Sequence, residues 1–403
     1  MAAQGGSARA LVIVGTGLAA VRAAEGARSA GWTGRIELIG EEHHQPYDRP
    51  PLSKDFLATD AEAAFPALRS DEAWAAVDAT VRTGTAAIGL DTGRHVLSTT
   101  DGEVRYDALV IATGSRPREI PEMRRQPGVH KLHRYDDAVA IRAALPRARR
   151  LLVIGAGFIG SEIASAARQH GVEVTIVDAA PQPLARAIGP LAASRLTDLH
   201  RAAGVRLVLG SGVTLADDAS TAPADGVTVR LDRGELLTAD MVIVGIGVTP
   251  ATAWLRDSGL LLDAASGGVV CDDRMQTAAA DVWAAGDVAV VGDGRPGGHW
   301  TAAAEQGFVA GANAVGDDGT VVGVPFAWST WHGHRIQTVG DTRRGAEIDR
   351  GGGLVEYQDG EVVVGAVGID RPGDIARLRR ALLAIKKGRP VGSHQGQAPN
   401  ASW

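Results

Sequence analysis

The sequence predicts an α/β protein with two similar parallel-sheet units and a smaller α+β domain toward its C-terminal end. Three observations carry that prediction. The apolar run Leu11-Val12-Ile13-Val14 leads into Gly15-Thr16-Gly17-Leu18-Ala19-Ala20. The same pattern returns as Leu151-Leu152-Val153-Ile154 followed by Gly155-Ala156-Gly157-Phe158-Ile159-Gly160. Beyond about residue 320, shorter segments separated by turn residues replace these continuous apolar runs.

In the first unit, four consecutive apolar residues suit a strand of a parallel sheet, which is covered on both faces. The GxGxxA that follows allows a tight turn at Gly15, close approach of a pyrophosphate at Gly17, and helix packing against the small Ala20. A second strand is predicted from Arg35 to Ile39, ending at Gly40-Glu41-Glu42. Glu41 lies 26 residues after Gly15, close to the ~20-residue spacing of a carboxylate that binds a ribose 2′-hydroxyl. Strand, glycine turn, helix pattern and acid together predict a Rossmann-like dinucleotide site, which the glycines alone would not.

The second unit carries all three glycines, a helix pattern from Ser161 to His170 and a strand from Val172 to Val177. Asp178 closes that strand 23 residues after Gly155. Two fingerprints imply two dinucleotides, most simply a flavin and a nicotinamide placed for hydride transfer. Asp178 favours NADH because a carboxylate repels the 2′-phosphate of NADPH, with Arg186 as an opposing charge nearby. Leu109–Gly114 and Met241–Gly247 are apolar runs closing on glycine, as expected where strands end beneath a ligand. Asp287, after Ala284-Ala285-Gly286, is either a helix cap or a partner of the flavin ribityl chain; two nucleotide units upstream favour the second.

At 403 residues with 45% apolar composition, the chain has material for two or three domain cores. Its 52 glycines follow no triplet period and sit among Val and Ile, which excludes collagen-like and disordered classes. Cys271 is the single cysteine, so an intramolecular disulfide, a CxxC pair, a cysteine zinc site and a protein-ligated iron–sulfur cluster are excluded. Redox chemistry therefore requires a bound cofactor. A net charge of −6 argues against a generally basic nucleic-acid binder. No run of 18 apolar residues supports a membrane span. Ala10 to Ala20 follows Arg9 but contains Gly15-Thr16-Gly17 and continues with Arg22 and Glu25, so it is read as strand and helix rather than as a signal peptide. The expectation is a cytoplasmic, unprocessed protein.

The two fingerprints, Ala112-Thr113-Gly114, Ala284-Ala285-Gly286-Asp287 and above all Tyr47-Asp48-Arg49-Pro50-Pro51-Leu52-Ser53-Lys54 resemble a known family. It is that of the FAD-containing, NADH-dependent ferredoxin reductases that serve aromatic-ring dioxygenases and bacterial cytochromes P450. The resemblance runs from about Arg9 to about Lys387. It implies a glutathione-reductase-like architecture: an FAD domain from 1–114 and 245–320, an NAD domain at 115–244, and a C-terminal domain at 321–403 with a loose tail from about 388. Carried onto this sequence, the FAD contacts are Gly15, Gly17, Leu18, Ala19, Glu41, Arg49, Lys54, the backbone near Ala86, Ala112, Thr113, Gly114, Arg134, Gly286, Asp287 and Trp300. Arg134 has an ion pair with Asp136 or Asp137 as its other reading. The NAD contacts are Gly155, Gly157, Phe158, Ile159, Gly160, Glu162, Asp178, Arg186 and Gly247. Lys54 is placed beside the reactive edge of the flavin, where a cation stabilises negative charge, and Glu162 near Lys54 and the nicotinamide. An exposed helical Glu is the alternative for Glu162. Where the family has Trp-Ser-Asp-Gln, this chain reads Trp328-Ser329-Thr330-Trp331, and Trp331 is read either as a cofactor contact or as a core residue.

The C-terminal segment predicts strands at Gly353–Tyr357 and Val362–Val367 around the turn Gln358-Asp359-Gly360, then a helix from Asp374 to Lys386 with Ile375, Leu378, Leu382 and Ile385 on one face. Residues 321–403 hold 11 Lys and Arg against 8 Asp and Glu, leaving the rest of the chain at −9. A basic face including Arg335, Arg343, Arg344 or Arg379 would steer an acidic ferredoxin. The implied reaction is hydride transfer from NADH to FAD, then single electrons to a [2Fe-2S] ferredoxin supplying a Rieske oxygenase or a P450. Lys54 and Glu162 tune the cofactor in that scheme. A redox sensor resembling apoptosis-inducing factor, a rubredoxin reductase and an NADH oxidase remain alternatives, and monomer and homodimer are both open. The cysteine-dependent relatives carry a Cys where this chain has His43 and His44, and are excluded.

Overall fold

The computed structural model describes residues 9–58, 64–216, 226–292 and 298–388. The tail expected to be loose lies outside them beyond Gly388. Eight α-helices occur among the described residues: α1 (Leu18–Ser29), α2 (Asp55–Ala58), α3 (Asp71–Val77), α4 (Tyr135–Ala144), α5 (Phe158–Gln169), α6 (Ala185–Ala202), α7 (Trp300–Asn313) and α8 (Pro372–Lys386). None is long and apolar enough to cross a membrane.

The first parallel sheet has the order Val282–Ala284, Ala108–Ile111, Ala10–Val14, Arg35–Ile39, Thr80–Arg82. Its central strand is buried along its whole length, which explains the continuous apolar run. The second parallel sheet repeats the plan with Arg206–Leu209, Glu173–Asp178, Arg150–Ile154, Met241–Val244 and Val129–His130. In each, the central strand runs into a glycine turn and then a helix. Two three-stranded antiparallel meanders, centred on Val96–Thr99 and Val227–Leu231, accompany these sheets and carry no comparable sequence signature.

Part of the glycine excess serves helix packing rather than phosphate turns. A Cβ at Gly26 of α1 would overlap the Phe308 carbonyl, and Cβ atoms at Gly307 and Gly311 of α7 would overlap the carbonyls of Ala19 and Ala23. The two backbones therefore lie against each other, and α7 delivers Trp300 to the same end of the sheet as α1 delivers its N-terminus.

The C-terminal sheet is antiparallel, ordered Phe326–Trp331, His334–Gly340, Val362–Ile369, Leu354–Asp359, Ala346–Gly351. The hairpin at Gln358-Asp359-Gly360 forms as expected. One sheet face packs on α8 through Ile375, Leu378, Leu382 and Leu383. Ile385, expected on that face, is 51% exposed, and Leu383 packs there with Leu378 and Leu382. The other face packs on α6 through Ile188, Ala192, Ala193 and Leu196 against Trp331, Ile336, Val355 and Tyr357. Gly189 (φ +71) and Pro190 kink α6, and the Glu347 carboxylate accepts the N–H groups of Leu191 at 3.1 Å and Ala192 at 3.2 Å, capping its second half.

Candidate functional site

A cavity of about 460 Å³ opens at the C-terminal ends of the first sheet. Its walls are the first glycine turn, Glu41-Glu42, the Tyr47–Lys54 segment, Ala112–Arg116, Ala285–Asp287, the start of α7, and Ala327-Trp328 of the C-terminal edge strand. Phe158, Ile159 and Glu162, from the first turn of α5, complete it. One space is thus bounded by both nucleotide units and the C-terminal sheet.

Gly15 has φ +128, and a Cβ there would overlap the Ala112 carbonyl oxygen. Its N–H donates to Ile39 O at 2.7 Å, tying the turn to the neighbouring strand. Gly17 is the N-cap of α1, has no side-chain cap, and a Cβ on it would meet nothing within 4 Å. The open volume over Gly17 and the uncapped N–H groups of the first turn fit a pyrophosphate. Behind them, the Gly286 N–H donates to Gln306 Oε1 at 2.9 Å, and Asp287 Oδ2 accepts from Ser115 Oγ at 3.1 Å.

The charged groups are tightly paired. Lys54 Nζ lies 2.8 Å from Glu162 Oε1 and donates to Pro50 O at 3.2 Å. The Glu162 carboxylate, 4% exposed, also accepts from the hydroxyls of Ser53 and Ser329. Glu162 is therefore a buried anion with three donors from two segments, and not the solvated helical Glu of the alternative reading. Arg49 reaches Glu42 at 2.7 Å and the His133 carbonyl, while Tyr47 OH donates to Glu42 at 2.6 Å. At the rim, Glu41 pairs with Arg116 at 2.7 Å and with Arg134. Burial first, then the charges of Arg49, Arg134, Arg116 and Lys131, push His133 down to about 3, so it faces the cavity uncharged at neutral pH. Trp300 donates its indole N–H to Asp48 at 2.8 Å and meets Trp328 edge-on, with ring centroids 5.9 Å apart.

The second turn reproduces the first. Gly155 has φ +103, and its Cβ would overlap the Gly245 carbonyl, while Gly160 packs on Gly155 and Val153. Gly157 caps α5 without a side chain. Asp178 accepts the N–H of Ala156 at 2.6 Å and that of Ala180 at 2.7 Å, so its carboxylate is pinned beside the turn.

Most of the expected FAD contacts therefore meet around one cavity: Gly15, Gly17, Leu18, Ala19, Glu41, Arg49, Lys54, Ala112, Thr113, Gly114, Gly286, Asp287 and Trp300. Ala86 is not in its wall, although Thr85 and Ala87 on either side are. Arg134 reaches the rim through Glu41, and its ion pair is with that residue rather than with Asp136 or Asp137. Trp331 is corrected from cofactor contact to core residue: fully buried, it stacks on His200 with centroids 5.0 Å apart. Strand alternation turns it to the face opposite Trp328, toward α6. Arg186 is exposed on α6, and Gly247 (φ +100) is exposed beyond the second sheet. Of the expected docking arginines, Arg343 and Arg344 pair with Asp341 and Asp359, and Arg379 lies over the Phe326 ring at 4.6 Å. Sequence reasoning missed Ser53, Gln306, Trp328 and Ser329 as working parts of this site. Ser53, Trp328 and Ser329 stood inside quoted motifs; Gln306 carried no local signal.

Residues 9–307 match the family model described as pyridine nucleotide-disulphide oxidoreductase. The chain is 33% identical to rhodocoxin reductase of Rhodococcus erythropolis, over 92% of this chain and 89% of that protein. It is also 33% identical to the ferredoxin–NAD(+) reductase subunit of the benzene 1,2-dioxygenase system of Pseudomonas putida, over 93% and 92% of the two chains. Among solved structures, the covalent putidaredoxin reductase–putidaredoxin complex is similar at a TM-score of 0.87, with 31% identity and 94% of both chains covered. The chain belongs to the pyridine nucleotide-disulphide oxidoreductase family, on the branch of its ferredoxin–NAD(+) reductases.

Proposed function

We propose that this chain oxidises NADH on a bound FAD and passes the electrons one at a time to a [2Fe-2S] ferredoxin that serves an oxygenase or a cytochrome P450. The observation that carries this reading is the shared cavity, whose walls run from the Gly15–Ala19 turn to Phe158, Ile159 and Glu162 of the second nucleotide unit. When bound, FAD supplies the conversion of a hydride into single electrons. Gly17 and the start of α1 hold the pyrophosphate, and Asp287 holds the ribityl chain. Lys54, fixed by Glu162, places a cation at the cavity wall where reduction adds negative charge. The turn from Gly155 to Gly160, with Asp178 beside it, takes NADH.

In this scheme residues 1–114 and 245–320 form the FAD domain, 115–244 the NAD domain and 321–403 the C-terminal domain, and the protein works in the cytoplasm. The relatives named as reductases of rhodocoxin and of a dioxygenase system support the choice of acceptor. The family's dithiol chemistry has no place here, because Cys271 is the chain's one cysteine and is buried. Burial first, and Asp272 next, push its thiol up to about 12. The test is anaerobic titration with NADH, followed by reduction of a bacterial [2Fe-2S] ferredoxin and, separately, oxygen uptake. Flavin bleaching with fast ferredoxin reduction and slow oxygen uptake is expected. Bleaching without transfer to ferredoxin would overturn the reading in favour of a redox sensor.

A further inference from the structure

His200 of α6 is fully buried, yet it takes no part in either glycine turn. Its Nε2 lies 3.0 Å from Ser161 Oγ and its Nδ1 lies 3.0 Å from His332 Nε2. Ser161 is fully buried in the first turn of α5, the turn that brings Phe158, Ile159 and Glu162 to the cavity. His332 is only partly buried, at the turn after Phe326–Trp331, where its φ is +51 and its N–H donates to Ser165 Oγ at 2.7 Å. A continuous hydrogen-bonded path therefore joins a solvent-reaching imidazole to the helix turn at the cavity.

We propose that His200 is a positioning residue that relays the protonation state of His332 to the first turn of α5 and so tunes how that turn receives NADH. The proposal rests on the NADH reading above. A neutral imidazole has one N–H and one lone pair, whereas a protonated one has two N–H groups and no acceptor. Once His332 gains a proton from solvent, its Nε2 donates to His200 Nδ1. His200 then carries its hydrogen on Nε2 and donates to Ser161 Oγ, and the Ser161 hydroxyl hydrogen must point elsewhere. With His332 neutral, the reverse order is also open: Ser161 donates to His200 Nε2, and His200 Nδ1–H donates to His332.

The neighbouring charges leave His332 as the group that responds. Burial first, then His332, hold His200 down at about 3. Burial, Arg168 of α5 and His334 lower His332 below the ordinary 6.5. His334 is itself paired with Asp370 at 2.7 Å, and Glu162 is committed to Lys54, Ser53 and Ser329.

Stopped-flow reduction of the FAD-loaded protein by NADH, from about pH 5 to about pH 7.5, tests the relay against His332→Gln, whose amide donates without titrating. The apparent NADH affinity of the parent is expected to change about three- to tenfold on acidification, the worth of one neutral hydrogen bond, while the variant stays flat. His200→Phe keeps the stack on Trp331 and is expected to weaken NADH affinity at every pH without an inflection. An inflection preserved in His332→Gln overturns the proposal, whatever the fate of His200→Phe. If NADH reduces the flavin normally but both profiles coincide, only this inference falls; if NADH fails to reduce it at all, the functional reading falls with it.

Discussion

Lys54 Nζ and Glu162 Oε1 meet at 2.8 Å, joining the Tyr47–Lys54 segment of the first nucleotide unit to α5 of the second. Ser329 adds the C-terminal sheet to the same carboxylate. Three segments far apart in sequence thus converge on one buried anion, and their relative positions depend on its charge being matched. Lys54→Met leaves that carboxylate without its cation and is expected to destabilise the protein by about 2–4 kcal/mol. The double variant Lys54→Met/Glu162→Gln removes both charges and is expected to recover part of the loss. Urea unfolding of the two FAD-loaded variants decides the matter, and a double variant no more stable than Lys54→Met would refute the coupling.

The two glycines of the first turn do different work. Gly15 is constrained by the protein itself, through φ +128 and the Ala112 carbonyl, whereas Gly17 faces open space at an ordinary φ of −82. Gly15→Ala is therefore expected to lower both thermal stability and FAD retention. Gly17→Ala should leave the apoprotein's unfolding midpoint nearly unchanged while weakening FAD at least about tenfold, since its methyl group enters the ligand's volume. Equal FAD affinity in Gly17→Ala and the parent would remove the pyrophosphate from this turn.

Both glycine turns were legible because their chemistry is local. A buried parallel strand must be apolar throughout, and the turn after it must use residues without a Cβ, so strand, turn and helix are written within twenty residues. Lys54, by contrast, is placed only by the family resemblance that the Tyr47–Lys54 motif carries. The parts that escaped are set by tertiary contact. Trp331 sits three residues from Trp328, but alternation along the strand and the arrival of α6 send it into the core against His200. Gly26, Gly307 and Gly311 belong to no strand–turn motif in the sequence, and only the α1–α7 contact explains them. Gln306 supports the Gly286 N–H from the middle of a helix whose sequence gives no hint of it.

We propose that Asp178 sets the preference for NADH over NADPH. Its carboxylate is held beside the second turn by the N–H groups of Ala156 and Ala180, and a rigid negative charge there opposes a 2′-phosphate. Asp178→Asn is expected to lower kcat/KM for NADH and raise it for NADPH, narrowing the preference by about tenfold or more. Steady-state comparison of the two substrates settles this; an unchanged ratio would shift the discrimination to another residue, with the exposed Arg186 as the first to examine.

Acid should destabilise this protein through its buried histidines, His133 and His200 foremost with His130, His299 and His332 also lowered by burial, before its carboxylates titrate. His133 and His200 are both held down at about 3, chiefly by burial, whereas the unfolded chain takes up protons near 6.5. Between those values the unfolded state binds more protons than the folded one. The stability these neutral rings contribute is thus complete above pH 6.5 and is lost as the pH falls toward 3, at up to about 1.4 kcal/mol per pH unit for each ring. Paired carboxylates such as Glu25, whose pKa lies below the ordinary 4.5, add their own loss only further down the scale. Urea unfolding between pH 6.5 and 4.5 therefore isolates the histidines. His200→Gln keeps a donor and an acceptor without titrating, and is expected to reduce the slope of stability against pH by about 1.4 kcal/mol per unit in that window. A slope identical to the parent's would mean that His200 titrates alike in the folded and unfolded states.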